Sequence, residues 1–316
     1  MVQSRVLTFT SPDRYRTLVR AAALDLLATS TGDFRAELTQ IDLHRLWMQR
    51  GSDSLPRTVR TSIDPDRVPV VFLADAHQAP MQVGRAELAP GQLLLYGPGS
   101  SSRQQTTGPS RWASLSLAPA DLAAASVAIA GREVAAPTGI EILRPDPRSL
   151  ARLRFLHDEA DRIARTRPDI LARPAVARAL EQAAVRAMVA CLAGTTAAET
   201  SFWRQRARVI ARFEDFLAMR RHEPVYMAEI CAALGVSERT LRTCCHEHLG
   251  TSPVRYLWLR RMHLARRALL RADPAATTVT GIATDHGFWE LGRFSVEYRA
   301  LFGETPSATL RRPAST

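Results

Sequence analysis

The chain has 316 residues, enough for two domains that each bury a hydrophobic core. Hydrophobic residues make up 46% of it and charged residues 23%, which is ordinary for a globular protein. No apolar run approaches the ~20 residues that cross a bilayer, so the composition predicts no membrane-spanning helix and no membrane partner. The formal net charge is +11, with 18 arginines and 11 acidic residues from Ser201 onward. This basic C-terminal third favours an anionic polymer as a partner.

The N-terminal residues lack the apolar stretch of a secretory signal, and we therefore expect a cytoplasmic protein. The cysteines form no CxxC pair, which favours small buried residues over disulfides or metal ligands. They are Cys191, Cys231, Cys244 and Cys245. The sequence contains no P-loop, dinucleotide-binding fingerprint or Ser/His/Asp constellation. We expect neither a cofactor nor a bound metal, and no enzyme activity.

The predicted elements change along the first two thirds of the chain from helix to strand and back. Residues up to about 33 indicate a short helical lead-in. From Phe34 to about Ala130, short runs such as VPVVFLA and GQLLLYGP alternate with turn residues, which predicts an antiparallel sandwich or small barrel. From Pro147 to about Gly194 the apolar spacing becomes helical.

These changes divide the chain into four parts. Residues 1–147 form a β-rich domain with its helical lead-in, and residues 148–194 form a pair of helices. The small polar residues of 195–205 predict a linker. Residues 206–316 are predicted to be helical almost throughout, which makes the whole chain an α+β protein.

The C-terminal part contains one spacing pattern twice, about 52 residues apart. In each copy an Ile precedes a Gly, at Gly235 and at Gly287, and the copy ends in Gly-x-Ser/Thr-Pro. The pattern predicts two helix-turn-helix units, at about 225–248 and about 277–302. Gly235 suits the turn because a positive φ costs glycine little, and Ser237 suits the cap of the following helix.

The second helix of the first unit has two chemically different faces. Leu241, Cys245 and Leu249 are spaced to share a buried face. Arg239, Arg242, Thr243 and His246 follow helical spacing on another face. An arginine can donate two parallel hydrogen bonds to O6 and N7 of guanine, so this face could read DNA bases.

The segment between the two units predicts a long connecting helix at about 252–271. Ser252 is a plausible cap, and Pro253 suits the first helical position because the missing N–H costs nothing there. Some 20 residues span roughly 30 Å, close to the ~34 Å between successive major-groove faces. Such a spacer could hold the two reading helices in neighbouring turns of one DNA face.

Residues from about 206 to 312 resemble the DNA-binding domain of the AraC/XylS family of bacterial transcription regulators. The resemblance is carried by ICAALGVSERTL, GTSPVRYLWLRRMHLARRALL and IATDHGFWELGRFSVEYRALFGETPS. It implies that Arg239, Arg242 and Thr243 face bases from the first unit. It implies the same role in the second unit for Leu291, Gly292, Arg293 and Val296.

The second unit departs from the family pattern. The side chains of Leu291, Gly292 and Val296 cannot hydrogen-bond to bases, and Trp289 stands where a polar cap is usual. We therefore expect this unit to read fewer bases, mainly through Arg293, with Arg299 at phosphate. The predicted DNA-binding residues are Ser237, Glu238, Arg239, Thr240, Arg242, Thr243, His246, Glu290, Gly292, Arg293, Ser295, Val296 and Arg299.

The β-rich domain resembles the cupin-like sensor domains joined to many such regulators, with LAPGQLLLYGPG as its marker. The resemblance implies an antiparallel β-barrel that holds a small effector. The candidate lining residues are Arg57, His77, Gln82, Tyr96, Arg103 and Trp112. The helices of 148–194 could cover the barrel or pair two subunits, and we expect a homodimer because two weak half-sites then act together.

The sequence thus predicts an effector-controlled regulator that binds double-stranded promoter DNA sequence-specifically, with RNA polymerase as a possible further partner. An alternative is a DNA-binding regulator without an effector, controlled by abundance or by a protein partner. A metal-dependent cupin-type enzyme is the least favoured reading. His44, His77 and His157 form no His-x-His pair, and no Glu lies at a fitting distance.

Overall fold

The computed structural model describes residues 3–84, 86–197, 204–220, 225, 227–249 and 251–312. The chain divides into two compact units. The first comprises Met1–Leu26 and Phe34–Thr200, and the second comprises Leu27–Asp33 and Ser201–Thr316. None of the helices within the described residues is long and apolar enough to cross a membrane.

The first unit combines antiparallel strands with a group of helices. The strands are β1 (Gln3–Phe9), β2 (Ala22–Ala28), β3 (Ala36–Asp42), β4 (Trp47–Asp53), β5 (Arg57–Ile63), β6 (Val68–Leu73), β7 (Met81–Val83), β8 (Ala86–Leu88), β9 (Leu93–Tyr96), β10 (Ser101–Thr106), β11 (Ser110–Leu117), β12 (Ile140–Arg144) and β13 (Thr196–Ala197). The helices are α1 (Pro12–Leu18), α2 (Pro119–Ala130), α3 (Pro147–Thr166), α4 (Pro168–Leu171) and α5 (Pro174–Ala193).

The strands form two open sheets, so the predicted barrel is wrong. In the described residues the larger sheet has the order β1-β3-β4-β11-β6-β9-β12-β13, and the smaller has the order β2-β5-β10-β7-β8. Each sheet ends in strands with a neighbour on one side only. The chain crosses between the two sheets several times, for example from β4 to β5 and from β5 to β6, and the strands make two layers instead of one ring.

Alternation along the strands of the larger sheet separates two cores. Val70 and Phe72 of β6 belong to one core with Leu115 of β11, and this core includes residues of α2, α3 and α5. Pro69 and Val71 of β6 point the other way and line a cavity together with residues of the smaller sheet. The first unit is therefore layered as helices, larger sheet and smaller sheet.

The predicted helical lead-in is wrong over most of its length. Only α1 is helical there, and β1 and β2 occupy the flanking residues. β1 pairs with β3 from Gln3 opposite Asp42 to Phe9 opposite Ala36. Ala21, with φ of 63°, separates α1 from β2. Pairing with distant strands has overridden the helical propensity of the alanine- and leucine-rich segment.

The predicted linker of 195–205 is partly a strand, because β13 pairs with β12. Residues 198–203 of this segment lie outside the described residues. The helices of the second unit are α6 (Arg204–Met219), α7 (Met227–Leu234), α8 (Glu238–Leu249), α9 (Pro253–Arg271), α10 (Val279–Asp285), α11 (Leu291–Phe302) and α12 (Pro306–Leu310).

The second unit has two hydrophobic cores that meet along α9. Residues of α6, α7 and α8 form one core that includes Tyr256 of α9. Residues of α10, α11 and α12 form the other, with Leu259, Met262 and Leu269 of α9. The long helix thus supplies a part of both cores.

Candidate nucleic-acid interface and inter-sheet cavity

The first helix-turn-helix unit consists of α7, a tight turn and α8. Gly235 has φ of 62°, as its place in the turn requires, and the Val236 amide donates to the Cys231 carbonyl at 3.1 Å. The Ser237 hydroxyl accepts a hydrogen bond from the Thr240 amide at 3.1 Å. The predicted cap is thus present, and it fixes where α8 begins.

The two faces of α8 have the predicted character. Leu241, Cys245 and Leu249 are buried, and Cys244 is buried beside them. The predicted contact residues on this helix and its cap are all exposed. They are Ser237, Glu238, Arg239, Thr240, Arg242, Thr243 and His246. A helix held by one face can present the other to a DNA groove.

Arg242 lies next to a carboxylate on its own helix. Its Nε and one Nη are 3.0 and 2.5 Å from Oε1 of Glu238. The Thr243 hydroxyl donates to the Arg239 carbonyl at 2.9 Å. These contacts stay on the exposed face, where a guanine edge could replace the carboxylate as the acceptor for Arg242.

The second helix-turn-helix unit repeats this plan with α10, a turn at Gly287 and α11. Gly287 has φ of 75°, and the Thr278 hydroxyl caps α10 by accepting from the Gly281 amide at 3.1 Å. α11 begins without a side-chain cap, and Trp289 just before it is 74% exposed. The cap position is Glu290 and not Trp289 as the repeat spacing predicted, so α11 begins one residue later than expected, and Glu290 makes no side-chain cap hydrogen bond.

α11 also separates a buried face from an exposed one. Phe294, Tyr298 and Leu301 are buried, as is Phe288 before the helix, whereas Phe302 is only partly buried. The predicted contact residues of the second helix-turn-helix unit are exposed. They are Glu290, Gly292, Arg293, Ser295, Val296 and Arg299.

Arg293 is oriented by a contact that reaches α9. Its Nε donates to Oε1 of Glu297 at 2.9 Å, and the Trp258 Nε1 of α9 donates to the other oxygen of Glu297 at 2.8 Å. Burial alone would raise the pKa of the Glu297 carboxyl, but hydrogen bonds from Arg293 and Trp258 outweigh burial and lower it. No local pattern in the sequence predicts this chain of contacts, because Trp258 and Glu297 are 39 residues apart.

α9 makes polar contacts with α6 on one side and with residues in and after the second helix-turn-helix unit on the other. Tyr256 donates to the buried carboxylate of Glu214 in α6 at 2.9 Å. On the other side, Arg261 donates to the Gly287 carbonyl at 3.2 Å, and Arg266 pairs with Glu304 at 3.1 Å. The 19 residues of α9 span roughly 28 Å at about 1.5 Å per residue. α8 shares one core with Tyr256 of α9, and α11 shares the other with Leu259, Met262 and Leu269 of α9, so both helices are attached to α9.

The first compact unit, which contains the strands, has a cavity between its two sheets. Its empty volume is about 620 Å³, a value that includes open solvent. Three of the predicted effector residues, Arg57, Tyr96 and Trp112, line it. Arg103 is buried but is not among the lining residues. His77, with a side chain 96% exposed, and Gln82, which donates to Glu87 at 2.6 Å, are also not among them.

Several polar residues of the cavity wall were not predicted from the sequence. They are Tyr15, Gln49, Thr61, Gln104 and Ser114. Tyr15 fell in the segment predicted to be a helical lead-in. For the others, alternation shows which residues share a face but not which face points inward.

Arg57 is the charged group most deeply placed at the cavity. It is 3% exposed and pairs with Asp53 at 2.8 Å. Burial raises the pKa of the Asp53 carboxyl, although Arg57 opposes that effect. The Nε and one Nη of Arg57 are buried and have no hydrogen-bond partner among the described residues. Arg57, a lining residue of the cavity, thus has two buried donor groups without an acceptor, and both carboxylate oxygens of Asp53 also have no hydrogen-bond partner in the described part of the chain.

Trp112 is placed in the wall by a glycine. Gly51 of β4 lies opposite it in β11, and a Cβ on Gly51 would be 2.3 Å from the indole ring. The indole Nε1 donates to the Tyr15 hydroxyl at 3.0 Å. The absence of a side chain at Gly51 thus lets the indole lie flat across the neighbouring strand.

Comparison with known proteins finds similarity to helix-turn-helix regulators in the C-terminal compact unit. A family described as "Helix-turn-helix domain" matches residues 230–312. The probable thc operon regulatory protein of Rhodococcus erythropolis is 44% identical over 97 residues, 31% of this chain and 29% of that protein. The XylDLEGF operon transcriptional activator 3 of Pseudomonas putida is 35% identical over 105 residues, 33% of this chain and 30% of that protein.

Among solved structures, the AraC-like transcriptional activator CuxR aligns over 89% of this chain and 99% of its own, with 16% identity and a TM-score of 0.45. The match to the two operon regulators covers less than a third of the length of either. The C-terminal part of the chain carries an AraC-type helix-turn-helix domain. The named relatives are transcription regulators and not enzymes, in agreement with the prediction that this chain is not an enzyme.

Proposed function

We propose that this chain is a transcription regulator that binds promoter DNA with both helix-turn-helix units, α8 and α11 lying in successive major-groove segments. The observation that carries the proposal is the attachment of two exposed, arginine-bearing helix faces to the single helix α9. Arg239 and Arg242 would read bases from α8, and Arg293 from α11. Arg299 would contact phosphate.

The direct test is selection of bound sequences from random duplex DNA by the full-length chain. We expect one enriched motif. Arg239→Ala and Arg242→Ala should each relax the preference at one or two positions by about 1–3 kcal/mol. Arg152→Ala, which removes an exposed arginine of the first unit, is the matched control and should keep the motif. Unchanged preferences in both α8 variants would refute the assignment of the reading helix.

We propose further that the cavity between the sheets is an effector site, and that residues 1–194 act as the sensor. Its lining combines apolar side chains with a few polar groups, as is usual for small-molecule sites. The partnerless donors of Arg57 favour a ligand that offers a hydrogen-bond acceptor there, such as a carboxylate or hydroxyl. The chain would then act as a homodimer at paired half-sites, with RNA polymerase as a further partner.

Isothermal titration calorimetry against small polar and anionic metabolites tests the sensor role separately. We expect at least one ligand whose binding is weakened at least tenfold by Arg57→Gln and unaffected by the distant Arg152→Ala. If no such ligand binds while the chain still selects DNA, the effector-free alternative is supported. Analytical ultracentrifugation with and without target DNA tests the dimer.

A further inference from the structure

Gly292 in the first turn of α11 has no explanation within the folded chain. It is exposed and adopts no positive φ, and a Cβ added there would meet nothing within 4 Å. Glycine weakens a helix relative to alanine, because its backbone loses more freedom on folding. A helix position that has room for a methyl group but lacks one indicates close approach by something outside the chain.

One turn further along the same face stands an exposed valine. Val296 follows Gly292 by four residues, so the two lie next to each other on the helix surface. Val296 is 70% exposed, which leaves its two methyl groups open to an external contact. Arg293 follows Gly292 by one residue and Arg299 follows Val296 by three, and both are exposed, with Arg293 paired to Glu297. An exposed apolar pair on an arginine-bearing helix face fits a partner that carries an apolar group among anionic groups.

We propose that Gly292 and Val296 together form a notch that receives the C5-methyl group of one thymine in the major groove. This inference rests on the proposed function and adds to it, because it assigns sequence reading to residues without hydrogen-bonding side chains. The major groove presents the thymine methyl as its apolar marker, and phosphates lie on both sides of it. The absent side chain at Gly292 lets the base edge approach the backbone of α11, and the methyl groups of Val296 pack on the thymine methyl.

Thymine-to-deoxyuridine scanning of the selected duplex tests this contact. Deoxyuridine keeps every pairing and hydrogen-bonding group of thymine and lacks only the methyl group. For the wild-type chain, we expect one thymine in the half-site read by α11 whose replacement weakens binding about threefold to tenfold, as burial of one methyl group predicts. In Val296→Ala, the same replacement should have no effect.

Two further variants separate the notch from general effects. Val254→Ala changes another exposed valine, 60% exposed on α9, and should keep the wild-type response to deoxyuridine. Gly292→Ala should bind the thymine duplex at least fivefold more weakly, while its melting temperature is unchanged or higher. A drop in melting temperature would instead show that Gly292 serves the fold.

The outcomes distinguish this inference from the proposed function. If the wild-type chain selects no duplex sequence, the proposed function itself fails. If the chain selects a motif but no thymine shows a methyl effect that Val296→Ala removes, the notch is refuted and the proposed function stands. Loss of transcription activation in Val296→Ala without any change in DNA binding would also refute the notch, because it would make this face a protein-docking surface.

Discussion

Two of the arginines proposed to read bases are each held by a glutamate four residues away on the same helix. Arg242 is paired with Glu238, and Arg293 with Glu297. Exposed pairs of this kind contribute little to stability, whereas two parallel hydrogen bonds to guanine discriminate strongly between bases. The glutamates therefore orient the guanidinium groups without competing strongly against DNA.

His157 gives the first unit a defined response to pH. The side chain is buried on α3, its Nε2 lies 3.3 Å from the Ser114 carbonyl, and its ring meets Phe72 edge-on. Burial first, and then the charge of Arg50, lower the pKa of this imidazole from 6.5 to about 4. The folded state thus keeps His157 neutral at a pH where the unfolded chain already binds a proton.

Because the pKa of His157 is lower in the folded state than in the unfolded state, this residue contributes stability above pH 6.5. That stability is lost as the pH falls from 6.5 toward the folded-state pKa of about 4. Between pH 7 and pH 5 we expect the free energy of unfolding to fall by about 2 kcal/mol from this residue. Urea unfolding at both pH values measures the loss. His157→Gln should reduce it to near zero, and His77→Gln, at an exposed site, should leave it intact. An equal pH dependence in His157→Gln and the wild-type chain would contradict this account.

At the scale of elements, α9 is the helix of the C-terminal compact unit to which α8 and α11, the helices proposed to read bases, are attached. Trp258 of α9 binds Glu297, which in turn holds Arg293. We therefore treat Trp258 as a positioning residue, since it acts on DNA only through another side chain.

Trp258→Phe should keep most of the ring packing and remove the hydrogen bond to Glu297. We expect the preference for the base read by Arg293 to fall about threefold to tenfold, with the preferences of α8 unchanged. The measurement is competition binding with duplexes altered at single positions. In Arg293→Ala, a further Trp258→Phe change should have no additional effect at that base. Additive losses would instead assign Trp258 a separate structural role.

The sequence predicted the elements of the C-terminal compact unit better than those of the N-terminal compact unit, for a physical reason. Caps, turn glycines and helical spacing are local, so Ser237, Gly235 and the buried face of α8 could be read directly from the chain. The course of the sheets depends on pairings such as that of β1 with β3, which no local pattern records. For the same reason Tyr15 was missed and the closed barrel was wrongly expected, although Arg57, Tyr96 and Trp112 were placed at the cavity.

At the scale of the whole molecule, the uneven charge bears on DNA affinity. The +11 net charge is concentrated in the C-terminal third, where the helix-turn-helix units lie. Each phosphate neutralised by an arginine releases counterions, so affinity must fall as salt rises.

We expect the affinity for the selected duplex to fall roughly a hundredfold between 50 and 200 mM salt, as about four phosphate contacts would predict. Arg299→Ala should make the slope of log affinity against log salt shallower by about 1 without changing the preferred sequence. Fluorescence anisotropy over a salt series provides both values. A slope near zero would exclude phosphate contacts of this kind.

Effector control, if the cavity serves it, has a limit set by thermodynamics. A ligand can shift the DNA-binding equilibrium only by its difference in affinity for the two states of the protein. By reciprocity, saturating target DNA must change the affinity of the cavity ligand by the same factor that the ligand changes the affinity for DNA.

The central claim is that α9 sets two reading helices in successive major-groove segments, and the base-preference profiles of three proteins test it most directly. Selection from random duplex DNA should give the wild-type chain two clusters of preferred bases about 10 base pairs apart. Arg242→Ala should flatten one cluster only, and Arg293→Ala should flatten the other. A single cluster, or two variants that flatten the same positions, would contradict the account.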